Sequence, residues 1–164
     1  GRAVARRAVG FGMQILYHSR SVVPEQITQP LGARPVSREE LLASSDILTI
    51  HCPLTDDTHH LIGRKELEAM KAEAVILNGA RGQVLDLDAL AAVLDQGHLG
   101  GAALDVFPHE PFEEDHPIRS CEQVVFTPHA ADQTPEGVEL LNGGAGDNII
   151  AFLEGKPNKN VAAP

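Results

Sequence analysis

Short apolar runs alternate with longer stretches of helical spacing along most of this chain. Val75-Ile76-Leu77, Ala102-Ala103-Leu104 and Val124-Val125-Phe126 have strand length, and each ends abruptly at polar or turn-forming residues. The same reading predicts strands over 14–17, 47–51, 74–77, 101–104 and 124–126, with 47–51 buried. Helical spacing predicts helices over 1–11, 37–43, 64–70 and 87–96. Ser37 and Glu40 stand at capping-box distance at the head of the second. In the fourth, Leu87, Leu90, Ala91 and Leu94 share one face, with Asp86 as the cap and Gly97 as the stop. A last helix starts at Thr134 with Pro135 in its first turn, and Val138, Leu141, Ala145, Ile149 and Phe152 make its apolar stripe. Gly143, Gly144 and Gly146 each cost about 1 kcal/mol relative to alanine in a helix interior, which predicts a bend or a close packing contact there. Residues 155–164 read as an irregular tail. Strands alternating with helices predict repeated βα units and an α/β fold around a parallel sheet.

Composition narrows what such a fold does. The chain has 164 residues, about one domain's worth, with 13 basic against 23 acidic residues and a formal charge of -10. The clustered arginines, Arg2, Arg6 and Arg7, have no aromatics between them, so neither a nucleic acid nor an anionic membrane is an expected partner. Apolar runs stay far below the ~20 residues that span a bilayer, and a soluble protein is expected. Cys52 and Cys121 lack CxxC spacing, which fits reduced thiols in the cytoplasm. A targeting peptide is not expected, because the basic opening runs straight into the strand-like Ile15-Leu16-Tyr17. His59, His60, His98, His109 and His116 show neither two-ligand helical spacing nor a carboxylate set, so they read as surface residues and no metal site is expected.

Three motifs carry the candidate chemistry. Asn78-Gly79-Ala80-Arg81-Gly82, Leu104-Asp105-Val106-Phe107-Pro108-His109-Glu110-Pro111 and Thr127-Pro128-His129-Ala130-Ala131 each follow a predicted strand. Their side chains would emerge at one end of the sheet, where ligands of open parallel sheets bind. An arginine holds a carboxylate through two parallel hydrogen bonds, and a histidine backed by a carboxylate exchanges a proton near neutral pH. Singly, such residues are most often solvated charges, turns or surface groups; at three successive strand ends they point to hydride transfer on a keto or hydroxy acid. The loop between the last two strands is long and reads as too polar for the core, so it calls for a functional explanation.

In this order and spacing the motifs resemble a known family. The stretch from Gly1 to about Val161 is similar to the cofactor-binding region of the D-2-hydroxyacid dehydrogenases, through Gly1-Arg2-Ala3-Val4-Ala5, Phe11-Gly12-Met13, Asp46-Ile47-Leu48-Thr49-Ile50-His51-Cys52-Pro53-Leu54-Thr55, Met70-Lys71, Ala80-Arg81-Gly82, Leu104-Asp105-Val106-Phe107, Glu110-Pro111 and Thr127-Pro128-His129. The resemblance implies a Rossmann-type, doubly wound parallel sheet over 1–134. It implies that 135–164 form a helix and tail that return to a substrate domain. It further implies a catalytic set of Arg81 on the substrate carboxylate, His129 as proton donor and acceptor, and Glu110 as its partner. Gly1, Arg2, Cys52, Pro53, Gly79, Ala80 and Asp105 would line the cofactor with Arg81 and His129, Asp105 accepting from the nicotinamide carboxamide. Gly79 stands where the family often has threonine or valine, which leaves backbone contacts there.

Two departures matter. The glycine-rich loop of the family is present only from its third glycine, Gly1, so its first strand and most of the loop are missing and a longer polypeptide is expected. That strand would lie mid-sheet, leaving a gap between its neighbours. At the end of the second strand of the family, where an acid normally meets the ribose of NAD, this chain has Tyr17-His18-Ser19-Arg20. His18, Ser19 and Arg20 suit the 2'-phosphate of NADP, which is therefore favoured over NAD. The expected substrates are small 2-keto or 2-hydroxy acids of the glyoxylate, hydroxypyruvate or pyruvate class, handled by a homodimer. The alternatives are an NAD(P)H-sensing interaction protein similar to the corepressors of this fold, or a segment inactive by itself.

Overall fold

The structure, a computed structural model, describes residues 1–157. Residues 158–164 of the expected tail, and with them the end of the 135–164 segment and of the family resemblance, lie outside the described residues. The chain forms two compact units, Gly1–His129 and Ala130–Pro164, a division a few residues before the expected boundary at 134.

In the first unit helices and strands follow each other as α1 (Arg2–Gly10), β1 (Leu16–Tyr17), α2 (Glu25–Thr28), β2 (Arg34–Pro35), α3 (Arg38–Ser44), β3 (Ile47–Ile50), α4 (Arg64–Glu68), β4 (Val75–Asn78), α5 (Leu87–Asp95), β5 (Gly101–Leu104) and β6 (Val124–Phe126). Strands β3 to β6 pair in parallel in that order, and β1 pairs with β2 in a separate two-stranded sheet. Among the described residues no ladder joins the two sheets. Register decides what happens at the upper edge. Asn78 lies opposite Leu104, and Leu104 opposite Phe126, so β4, β5 and β6 end side by side and the three motifs leave the sheet together.

The core sits between β3 to β6 and helices α4 and α5. Leu67, Ile76, Leu90, Leu94 and Leu104 are fully buried, and each such side chain contributes about 1.5–3 kcal/mol by leaving water. The predicted face of α5 is buried, and Ala89 and Val93 are buried with it. The face is wider than the periodicity implies because α5 packs on α4 and also on the 3-10 turn Pro117–Ser120. Asp86 caps α5 by accepting from the Ala89 N–H at 2.9 Å, and Gly97 ends it at φ +70°, a left-handed position that suits glycine.

Several elements differ from expectation. Helix α2, the 3-10 turn Gln29–Leu31 and strand β2 have no counterpart in the apolar pattern; β2 is two exposed residues, one a proline, and such edge strands carry no burial signal. Ser37 caps α3 by accepting from the Glu40 N–H at 3.0 Å, but the box does not close. The Glu40 carboxylate turns to Arg34 at 2.8 Å instead, a charged partner outcompeting a backbone amide. His98 and His116 are not mere surface residues: His98 Nε2 meets the Met70 carbonyl at 3.1 Å, and His116 caps the Pro117–Ser120 turn and faces Asp88 at 3.4 Å.

The second unit holds α6 (Pro135–Leu153), capped by Thr134, whose hydroxyl accepts from the Gly137 N–H at 3.0 Å. The helix is continuous through its glycines, and a Cβ added at Gly143 or Gly146 would meet nothing within 4 Å. Among the described residues no neighbour packs against those two glycines. No helix among the described residues is long and apolar enough to cross a membrane.

Candidate active site

The site begins with a buried amide. Asn78, the last residue of β4, is 1% exposed, and a buried carboxamide needs partners for both ends. Its Oδ1 accepts from the Ala80 N–H at 3.1 Å and its Nδ2 donates to the Arg81 carbonyl at 3.0 Å. The turn so clamped puts Arg81 at the surface, where its Nη1 donates to the Ala80 carbonyl at 2.7 Å. Gly82 follows, and a Cβ there would lie 2.0 Å from the Phe107 carbonyl carbon, so only glycine fits. Gln83 then donates through Nε2 to the Pro108 carbonyl at 2.8 Å.

The loop after β5 is better anchored than its polarity suggests. Phe107 stacks on Phe112 with centroids 4.5 Å apart, both pack against the core, and Ile118 is fully buried. Arg119 lies 5.0 Å over the Phe112 ring and donates to the Glu113 and Phe112 carbonyls. The expectation of a loop wholly outside the core is thus corrected: three apolar side chains among its acids and prolines tie it down. At its start, Thr127 donates to Asp105 Oδ1 at 2.5 Å across the ends of β5 and β6. Further on, Glu110 accepts from the Phe107 N–H at 3.2 Å through Oε1, while Oε2 pairs with His129 Nδ1 at 2.8 Å.

His129 has φ +52°. A side-chain-bearing residue in that left-handed region carries about 1–3 kcal/mol of backbone strain, and such outliers gather at functional sites. Arg81, Glu110 and His129 share one cavity of about 220 Å³ with Gly82, Gln83, Val106, Phe107 and Pro108.

The hydrogen bond to Glu110 raises the His129 pKa above its ordinary 6.5, aided by the charges of Glu110 and Asp105 and opposed by desolvation and by Arg81. The same bond, with the Phe107 N–H, lowers that of Glu110 below 4.5. The imidazolium is therefore favoured at a higher pH than in a free histidine. The raised histidine contributes stability that is lost as pH rises through its folded value. The lowered glutamate contributes stability that is lost as pH falls through its own. The pair thus stabilises the fold between those limits, weakly, since the side chains are 47% and 39% exposed.

Residues 1–131 match the sequence profile described as D-isomer specific 2-hydroxyacid dehydrogenase, NAD binding domain. The chain belongs to this family. It is 46% identical over 161 residues to a glyoxylate reductase of Aeropyrum pernix, covering 98% of this chain and 48% of that protein. To glyoxylate/hydroxypyruvate reductase B of Pectobacterium carotovorum it is 44% identical over 165 residues, covering 100% and 51%. The holo form of D-mandelate dehydrogenase from Rhodotorula graminis has a similar fold, with a TM-score of 0.92 at 35% identity over 99% of this chain and 48% of that one. The chain spans about half the length of the relatives it matches.

For a member of the D-2-hydroxyacid dehydrogenases, the other anticipated cofactor residues fall at strand ends or helix starts. Gly1 is the N-cap of α1, which has no side-chain cap and no acid in its first turn, and Arg2 is exposed there. His18, Ser19 and Arg20 follow β1 and are exposed. Cys52 and Pro53 follow β3, with Cys52 half-buried against the core, where desolvation raises its thiol pKa. Gly79 is open, since a Cβ would meet nothing within 4 Å. A helix start with free N–H groups and no carboxylate, and a strand end bearing an imidazole, a hydroxyl and a guanidinium, are donor sets that fit a phosphate-bearing dinucleotide. Asn78, Gln83 and Thr127 gained no role from sequence. Asn78 and Thr127 stood inside the motifs, and a polar residue closing an apolar run was the available signal.

Proposed function

We propose that this chain is the cofactor-binding part of an oxidoreductase that reduces a small 2-keto acid to the D-2-hydroxy acid. The observation that carries the reading is the 2.8 Å pair of Glu110 and His129 in one cavity with Arg81. Arg81 would bind the substrate carboxylate in two parallel hydrogen bonds and orient the carbonyl beside the cofactor. When bound, a nicotinamide dinucleotide supplies the hydride. Glu110 holds Nδ1 of His129, which leaves Nε2 to give its proton to the carbonyl oxygen as charge develops and to take it back in the reverse direction. Gly1 and Arg2 would hold the pyrophosphate, Asp105 the carboxamide, and Cys52 and Pro53 the adenosine side.

The substrate class is glyoxylate, hydroxypyruvate or pyruvate, supported by the names of the two curated relatives. NADP is favoured by His18, Ser19 and Arg20, and by the lack of an acid from Tyr17 to Arg20. Unpaired Cys52 and Cys121 support a reducing, cytoplasmic setting, and the family resemblance supports a homodimer. An assay of NADPH and NADH oxidation with each of the three acids, beside a cofactor-binding titration, tests these points. NADPH should bind about 10–100-fold more tightly than NADH, the effect of one or two charge-assisted hydrogen bonds to the 2'-phosphate. A preference for NADH would overturn the cofactor assignment, and tight cofactor binding without turnover of any acid would favour the cofactor-sensing or inactive-segment alternatives over the proposed reaction.

The proton donor also sets a pH profile. Keto-acid reduction needs protonated His129, so activity should persist above the ordinary imidazole range and fall at higher pH. Glu110→Gln should move that fall to lower pH in a kcat against pH series. An unmoved profile would count against Glu110 as the partner.

A further inference from the structure

We infer that Gln83 is a positioning residue that holds the turn bearing Arg81 and the loop bearing Glu110 in fixed register, and so sets the Glu110–His129 contact. The inference rests on the reading of that pair as the proton-transfer machinery.

Gln83 lies two residues after Arg81, in the 3-10 turn Gly82–Val84. Its side-chain amide donates to the Pro108 carbonyl at 2.8 Å in a partly buried position. Pro108 stands inside the short turn closed by the Phe107 N–H on Glu110 Oε1 at 3.2 Å. A proline offers no N–H, so its carbonyl is the polar backbone handle by which this stretch is gripped.

Gln83 is itself fixed from the opposite side, because its backbone carbonyl accepts from the His60 N–H at 2.8 Å. Next to it, Gly82 presses on the same Phe107–Pro108 peptide. One backbone contact and one side-chain hydrogen bond therefore link the two segments. The contact fixes their distance, and the bond fixes the orientation of the Pro108 peptide. With the donor gone, the Pro108 peptide loses the bond that fixes its orientation, and the aim of Glu110 Oε2 at His129 Nδ1 slackens while the Phe107 anchor stays in place.

Gln83→Met keeps the length and removes the donor. NMR titration of the imidazole signals in the unmodified chain, Gln83→Met and Glu110→Gln tests the assignment without requiring turnover. Glu110→Gln should lower the His129 midpoint, and Gln83→Met should lower it in the same direction by about 0.3 pH units or more, with the remaining histidine signals unchanged. A Gln83→Met midpoint equal to that of the unmodified chain, beside a lowered one in Glu110→Gln, would overturn the role of Gln83 alone. An unchanged midpoint in Glu110→Gln would overturn the pair itself. The unmodified chain gives a second measurement that does not depend on a variant folding. The Gln83 side-chain amide protons should exchange with solvent more slowly than those of an exposed glutamine, and exchange at the exposed rate would overturn the proposal.

Discussion

On the proposed function, replacing His129 with asparagine is expected to lower kcat for keto-acid reduction by about 10²–10⁴-fold, the usual contribution of a positioned general acid. The choice of asparagine matters. His129 has φ +52°, and asparagine is among the few residues that adopt the left-handed region readily, so the backbone is retained while the ionisable ring is removed. Glu110 loses its cationic partner, but both side chains are substantially exposed and the fold should survive. Circular dichroism should overlay that of the unmodified protein, and cofactor affinity should change far less than kcat. A variant within a few-fold of the original turnover would remove His129 from the proton-transfer role.

The second large effect falls on stability. Gly82→Ala places a methyl group 2.0 Å from the Phe107 carbonyl carbon, 2.2 Å from its oxygen and 2.3 Å from Pro108 N. All three are backbone atoms, and the segment is held by the stack of Phe107 on Phe112 and by Gln83 on the Pro108 carbonyl. No flexible side-chain end can yield. The expected cost is about 3–5 kcal/mol, at or beyond the upper end of ordinary overpacking. In a chain of this size that lowers Tm by roughly 6–20 °C in a thermal melt. Gly79→Ala, three residues earlier on the same turn, is the matched comparison. A Cβ there would meet nothing within 4 Å, and its Tm should stay close to that of the unmodified protein. Equal melting temperatures for the two variants would disprove the close approach at Gly82.

The parts of this molecule that are legible in its sequence share one physical trait: they are local. Val75-Ile76-Leu77 and Val124-Val125-Phe126 are apolar because β4 and β6 belong to the main sheet, and the polar residues after them mark where it ends. The caps at Ser37 and Asp86 act within three residues and are readable for that reason, as is the helix start at Thr134, whose side chain also proves to cap. Contacts between distant segments left no trace. Gly82 is constrained by Phe107, Gln83 by Pro108, and Glu40 is diverted from its box by Arg34. Phe107, Phe112 and Ile118 follow neither helical nor strand periodicity, so their shared anchoring of the loop was hidden by the acids and prolines around them. Strand β2 was invisible for the opposite reason, since Arg34 and Pro35 bury nothing. The candidate triad was readable because its members follow strand ends; what holds them in place was not.

The buried amide of Asn78 bears on how this protein ages. An asparagine followed by glycine is chemically fragile in a flexible chain, because the next backbone nitrogen attacks the side-chain carbonyl and expels ammonia to close a cyclic imide, which water then opens to aspartate or its iso form. Here that carboxamide is engaged at both ends and shielded from water, so the ring closure requires the 78–81 turn to open first. Deamidation at Asn78 is thereby tied to local unfolding, and its product would accumulate as a record of how often the base of the candidate site has come apart.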